Sequence, residues 1–115
     1  MDTQNRTEIR DIYTIEEVKE LIEPILNKYE IDIAYLFGSY AKGTATSESD
    51  IDLLIKSRAI KSLFKLGGLY YELSKRLNKK VDIVTEETFT NQPIDELDQE
   101  FYEEILKDRR LVYER

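Results

Sequence analysis

The chain contains no cysteine and no histidine. Without cysteine there are no disulfides and no thiolate chemistry, and nothing ties the chain to an oxidising compartment. Without histidine, a Ser-His-Asp triad and a His-ligated zinc site within the chain are excluded. Long apolar runs are also missing. The N-terminus carries no apolar h-region and no stretch is long enough to span a bilayer, so the expectation is a soluble, cytoplasmic protein with no membrane partner. Basic residues are in deficit, 17 Lys and Arg against 24 Asp and Glu, for a net charge of −7. That balance argues against a nucleic-acid-binding surface. It fits a basic partner, an acidic cleft that holds cations, or solubility alone.

What is present suits one domain with a modest core: 115 residues, 41% of them apolar. A polar arm, Met1 to Asp11, is expected to be flexible, followed by one domain over 12–115. Thr14 and Glu17 have capping-box spacing, and Ile15, Val18, Leu21, Ile22, Ile25, Leu26 and Tyr29 recur at helical spacing. This predicts a helix to about Tyr29, kinked at Pro24. Ile31 to Phe37 reads as a strand, apolar enough for a central position. A glycine-containing loop with a short helical turn leads to a second strand, Asp50 to Lys56. Ile60 to Asn78 reads as an amphipathic helix with Ile60, Leu63, Phe64, Tyr70, Leu73 and Leu77 near one stripe. Gly67-Gly68 inside it marks either close packing or a break between two helices. A third strand follows at Val81 to Thr85, then a turn at Asn91-Gln92-Pro93 and a helix from Asp95 to about Lys107 with Leu97, Phe101 and Ile105 on one face. Leu111 to Tyr113 reads as a last edge strand. Helices and strands alternate, so the fold class is α/β or α+β, a small mixed sheet flanked by helices.

The chemistry gathers between the first two strands. Gly38-Ser39 closes a buried strand, and turn N–H groups with the Ser39 hydroxyl can hold phosphate oxygens. Ten residues separate Ser39 from Asp50-Ile51-Asp52. With a strand's period of two, Asp50 and Asp52 share one face while Ile51, Leu53 and Ile55 take the other. Two like charges on one face call for a cation, and no basic residue nearby in sequence supplies it. Carboxylate oxygens are natural ligands of magnesium or manganese. Asp82 sits in an apolar strand, Val81 to Val84, and a carboxylate there is costly to bury without a counter-charge. If that strand pairs beside the second one, Asp82 joins Asp50 and Asp52. Three carboxylates near a phosphate cradle describe a two-metal site for in-line displacement at phosphorus.

Gly38-Ser39, ten residues, then Asp50-Ile51-Asp52 resembles the signature of the DNA polymerase β-like nucleotidyltransferase superfamily. The runs Gly38-Ser39-Tyr40-Ala41-Lys42-Gly43-Thr44 and Ser49-Asp50-Ile51-Asp52-Leu53-Leu54-Ile55 look like its minimal nucleotidyltransferase (MNT) branch. Four fixed positions at about 5–7% frequency each give a chance match on the order of 1 in 1,000 for a chain this long. The resemblance implies a polymerase β-like fold, with Asp50 and Asp52 binding two Mg²⁺ ions and Asp82 completing the catalytic metal and helping to deprotonate the acceptor. It implies that Gly38 and Ser39 hold the β/γ-phosphates of ATP. Lys42 stands where the family often has arginine; it can touch the triphosphate but not bidentately. It further implies an antitoxin that transfers AMP from ATP onto a tyrosine of a HEPN-domain ribonuclease toxin.

Blander readings stand beside these. The aspartates could be solvated strand residues, Gly38 a plain turn, Ser39 a helix cap, Lys42 a solvated side chain, and the acidic helix after Asp95 a solvated face. A non-catalytic antitoxin that works by binding alone is the alternative from another class. Transfer to a small molecule is weaker, because family members with that activity carry an extra domain.

Overall fold

The computed structural model describes residues 12–90 and 94–115. The expected N-terminal arm and the Asn91-Gln92-Pro93 turn lie outside the described residues. Nine elements follow in order: α1 (Ile15–Lys28), β1 (Ile33–Phe37), α2 (Gly38–Lys42), β2 (Ile51–Lys56), α3 (Leu63–Leu77), β3 (Val81–Thr85), α4 (Glu87–Thr90), α5 (Glu96–Asp108) and β4 (Arg110–Glu114). The four strands form one sheet in the order β3-β2-β1-β4. β1 is antiparallel to both β2 and β4, whereas β2 and β3 are parallel, joined by α3 as crossover. The mixed α/β class expected from the alternation is what the chain adopts.

Local chemistry explains where the elements begin. The Thr14 side chain accepts from the Glu17 N–H at 3.0 Å and Glu17 accepts from the Thr14 N–H at 2.8 Å, closing the capping box at the start of α1. Pro24 is accommodated inside a single helix that continues to Lys28. Ser62 caps α3 through the Lys65 N–H, and Asp95 caps α5 through the Asp98 N–H. Asn78 and Gly43 end α3 and α2 in left-handed conformations, which frees the chain to turn back.

The sheet's two faces separate two jobs. One face sets Ala34, Leu36, Ile51, Leu53, Ile55 and Val81 against Val18, Ile22 and Leu26 of α1 and Leu69, Leu73 and Leu77 of α3; this is the main core. The other face is only partly covered: Phe37 and Leu54 meet Phe89 of α4 and Ile105 of α5. Phe101 stands edge-on to Phe37 at 6.1 Å, Phe89 stacks on Tyr102 at 4.7 Å, and the Arg109 guanidinium lies 4.0 Å over the Tyr35 ring. These contacts hold α5 across one end of the second face and leave the other end open.

Two helix faces differ from expectation. In α3 the buried stripe runs through Leu69, Leu73 and Leu77, while Leu63 is 85% and Phe64 90% exposed. In α5 Ile105 is buried, but Leu97 is 76% exposed. Each helix buries only part of its length, and its first turn stays in solvent. Gly67-Gly68 does not break α3. A Cβ on Gly68 would stand 2.8 Å from the Tyr29 hydroxyl, so this glycine lets α1 and α3 approach, whereas Gly67 faces open space.

Candidate active site

The parity of β2 puts Ile51, Leu53 and Ile55 into the main core and turns Asp52 to the partly covered face. The parallel register pairs Asp52 with Asp82, and the antiparallel register pairs Asp52 with Phe37, the residue before Gly38. Phe37, Asp52 and Asp82 therefore form a row across three strands, spaced by about 4.8 Å per strand, and Gly38 follows directly on Phe37 at one end of it. Gly38 has φ +72°, a left-handed conformation, and a Cβ there would overlap Oδ2 of Asp52. Only glycine answers both demands. The sequence argued for glycine from approach to a ligand; the structure adds that the Asp52 carboxylate itself occupies the space.

A cavity of ≈ 450 Å³ opens over this row, within the range of small-molecule and cofactor sites. Gly38, Lys42, Asp52 and Asp82 line it on the polar side, and Phe37, Val84, Phe101 and Ile105 on the apolar side. Glu104 and Asp108 of α5 stand at its rim. Lys42 Nζ is 3.9 Å from Asp108 Oδ2, which links α2 to α5. Asp50 and Ser39 do not line the cavity. Asp50 precedes β2 by one residue, and Ser39 sits inside α2, where its carbonyl accepts from the Thr44 N–H at 3.0 Å.

Electrostatics at the row are frustrated. Burial pushes the Asp52 carboxyl up to about 6, helped by the charge of Asp82, a hydrogen bond with Asp82 and the charge of Asp50; Lys80 opposes the rise. Lys80 Nζ lies 3.9 Å from Asp50 Oδ2 and 4.0 Å from Asp82 Oδ1. It is the cation that the sequence did not reveal, because its position depends on β3 lying beside β2. Phe101, Glu104 and Asp108 were also missed as cavity residues: α5 read as a solvated acidic face, and nothing local shows that it crosses the sheet.

Among the described residues, no three acidic side chains stand gathered as a ready-made metal site. The donor set nonetheless suits a hard divalent cation. It consists of carboxylate oxygens, one of them held against its charge, with an ammonium 3.9–4.0 Å away as the nearby counter-charge.

A glycine turn and aspartates on adjacent strands, facing one open cavity beside a βαβ crossover, are the layout of a nucleotidyltransferase domain. Residues 20–115 match the model of the family described as "Polymerase beta, Nucleotidyltransferase", and the chain belongs to that family. A Methanocaldococcus jannaschii protein, named provisionally as a protein adenylyltransferase, is 45% identical over 71 residues, covering 62% of this chain and 76% of that protein. Among solved structures, a toxin–antitoxin with AMP-PNP superposes with a TM-score of 0.67 at 20% identity, over 84% of this chain and 73% of that one. A tri-AMPylated Shewanella oneidensis HEPN toxin in complex with MNT antitoxin superposes with a TM-score of 0.63 at 16% identity, over 88% and 73%. The fold and family expected from the Gly-Ser and Asp-Ile-Asp motifs are those of the chain.

Proposed function

We propose that the chain is a Mg²⁺-dependent protein adenylyltransferase that moves AMP from ATP onto a tyrosine of a HEPN-domain ribonuclease toxin, acting as its antitoxin, with 12–115 as one nucleotidyltransferase domain. One observation carries the reading: Gly38 abuts Asp52, and Asp52 pairs in register with Asp82, along one wall of a ≈ 450 Å³ cavity. The relative named as an adenylyltransferase and the AMPylated toxin complex support the choice of nucleotide and acceptor.

In this reading Gly38 and Ser39 hold the β/γ-phosphates with backbone N–H groups and a hydroxyl, and Lys42 reaches the same phosphates by leaving Asp108. Asp50, Asp52 and Asp82 hold two Mg²⁺ ions. When bound, the ions offset charge developing at phosphorus and make the acceptor hydroxyl easier to ionise. Asp52 would serve as a ligand in its ionised form, and Lys80 would compete with a cation for Asp50 and Asp82. Phe37, Phe101 and Ile105 give the cavity an apolar wall. Catalysis rests on positioning and charge stabilisation rather than on a covalent nucleophile of the protein.

The test is transfer of label from α-labelled ATP to a HEPN-domain toxin from the same source as this chain, with Mg²⁺, run against Asp50→Asn/Asp52→Asn. Label with the wild type alone supports the reading; full label with the double variant sinks it. The ammonium of Lys80 between Asp50 and Asp82 favours a second reading, a binding-only antitoxin, because it offsets part of their charge without a metal. That reading expects co-elution of the two proteins with no label.

A further inference from the structure

β3 is the outer strand of the sheet, with β2 as its sheet neighbour. Alongside it, Leu63, Leu66, Gly67 and Tyr70 of α3, with Asp82 and Ile83 of β3, line a second hollow of ≈ 360 Å³. The linings of the two hollows share one residue, Asp82. Two of its lining residues are apolar side chains that the sequence placed toward the core and the structure leaves in solvent, Leu63 at 85% and Tyr70 at 41% exposed, and Phe64, next to Leu63 in the same turn, is 90% exposed. Clustered apolar exposure of this kind marks an interaction surface more often than chance.

We propose that this groove is the acceptor subsite of the transfer, receiving an apolar, aromatic segment of a protein substrate; the inference rests on the adenylyltransferase reading above. The argument comes from the order of the row. In an in-line displacement the attacking oxygen and the leaving oxygen lie on opposite sides of phosphorus. Gly38 at the end of β1, Asp52 on β2 and Asp82 on β3 succeed one another along one edge of the cavity. With the leaving phosphates held at the Gly38 end, the attacking hydroxyl enters at the Asp82 end, where the second groove begins. A bond forms between the acceptor oxygen and the α-phosphorus. The bond from that phosphorus to the α–β bridging oxygen breaks, and its electron pair departs with pyrophosphate. The acceptor proton passes to the Asp82 carboxylate and on to water. The groove's lining contains no Lys or Arg, so a nucleic-acid backbone would find no counter-charge there, whereas apolar and aromatic side chains match a protein segment. Gly67 leaves open space where a ring can lie.

The test fills the groove without touching the nucleotide cavity. Gly67→Trp adds a ring into open space, and Leu63→Glu places a charge on a side chain already in solvent. Each is compared with the wild type for binding of a fluorescent ATP analogue, for binding of the same HEPN-domain toxin, and for transfer of α-labelled AMP to it. Thermal melts establish that both variants fold. The expected result is analogue affinity within about twofold of wild type, with transfer reduced at least about tenfold through a raised KM for the protein acceptor. Unchanged transfer in both folded variants overturns the inference. If the wild type binds the HEPN protein without labelling it, the transferase reading fails on its own. In that case loss of binding in Gly67→Trp still supports the groove as the docking surface, and retained binding overturns it.

Discussion

Replacing Asp52 by asparagine should stabilise the metal-free protein at neutral pH and do little in acid. Asp52 is held in the fold with its pKa raised from 3.8 to about 6, first by burial and then by Asp82 and Asp50. The folded state therefore holds a proton more tightly than the unfolded chain. The stability this contributes is fully present below about pH 4 and is lost as pH rises through about 6. A difference of about two pKa units corresponds to at most about 3 kcal/mol. Asp52 is only partly buried, and screening reduces this to on the order of 1 kcal/mol. Asparagine cannot ionise, so it retains that amount at pH 7.5, worth about 4–5 °C in Tm for a domain of this size. Thermal melts with a chelator at pH 4 and pH 7.5 read the difference. Added Mg²⁺ should then raise the wild-type Tm and leave the variant nearly unmoved, through linkage of binding to folding. An equal shift at both pH values, or destabilisation at pH 7.5, would refute the picture of a carboxylate held against its charge.

Other consequences are as direct. Gly38→Ala should lose about 1–2 kcal/mol from left-handed strain alone in urea denaturation, and Gly38→Ala/Asp52→Ala should recover part of the remaining loss, since the overlapping carboxylate is gone. Gly67→Ala should gain about 0.5–1 kcal/mol from helix propensity, whereas Gly68→Ala should gain little, because its Cβ displaces the Tyr29 hydroxyl from its 2.7 Å hydrogen bond to Glu72; equal gains would show that the α1–α3 approach is loose. Lys80→Met should lower Tm at pH 7.5 without metal and sharpen the response to Mg²⁺, and a Mg²⁺ response weaker than wild type would mean that Lys80 helps to hold the site rather than competing for it.

The readable parts of the sequence were those set by local rules. Thr14 and Glu17 announce their helix by spacing, Val81 to Thr85 coincides with β3, and alternation assigns Asp52 and Ile51 to opposite faces. The Asp52–Asp82 register needed one assumption, that β3 lies beside β2, and the parallel pairing meets it. What stayed hidden was decided by distant packing. Leu63 and Phe64 satisfy a helical period as well as Leu69 does, and only the sheet's extent determines which turn of α3 it covers. Lys80 reaches Asp50 across a strand pairing that no local pattern displays. α5 looked like a solvated face because two of its four contributions to the cavity, Glu104 and Asp108, are acidic and the helix is rich in charge throughout.

The crossover that joins β2 to β3 also sets when the site can exist. A chain that has paired β1 with β2 already owns Gly38 and Asp52, but Asp82 arrives only after α3 has packed and the parallel strand has closed. Pairings of that kind are entropically late, since the loop must close before the contacts reward it. The repulsion among the carboxylates is thus postponed until the α3 crossover has closed. A nascent chain that has not reached β3 has no complete set of aspartates with which to capture a cation, and bringing the three together is itself a sign that the β2-α3-β3 unit has closed.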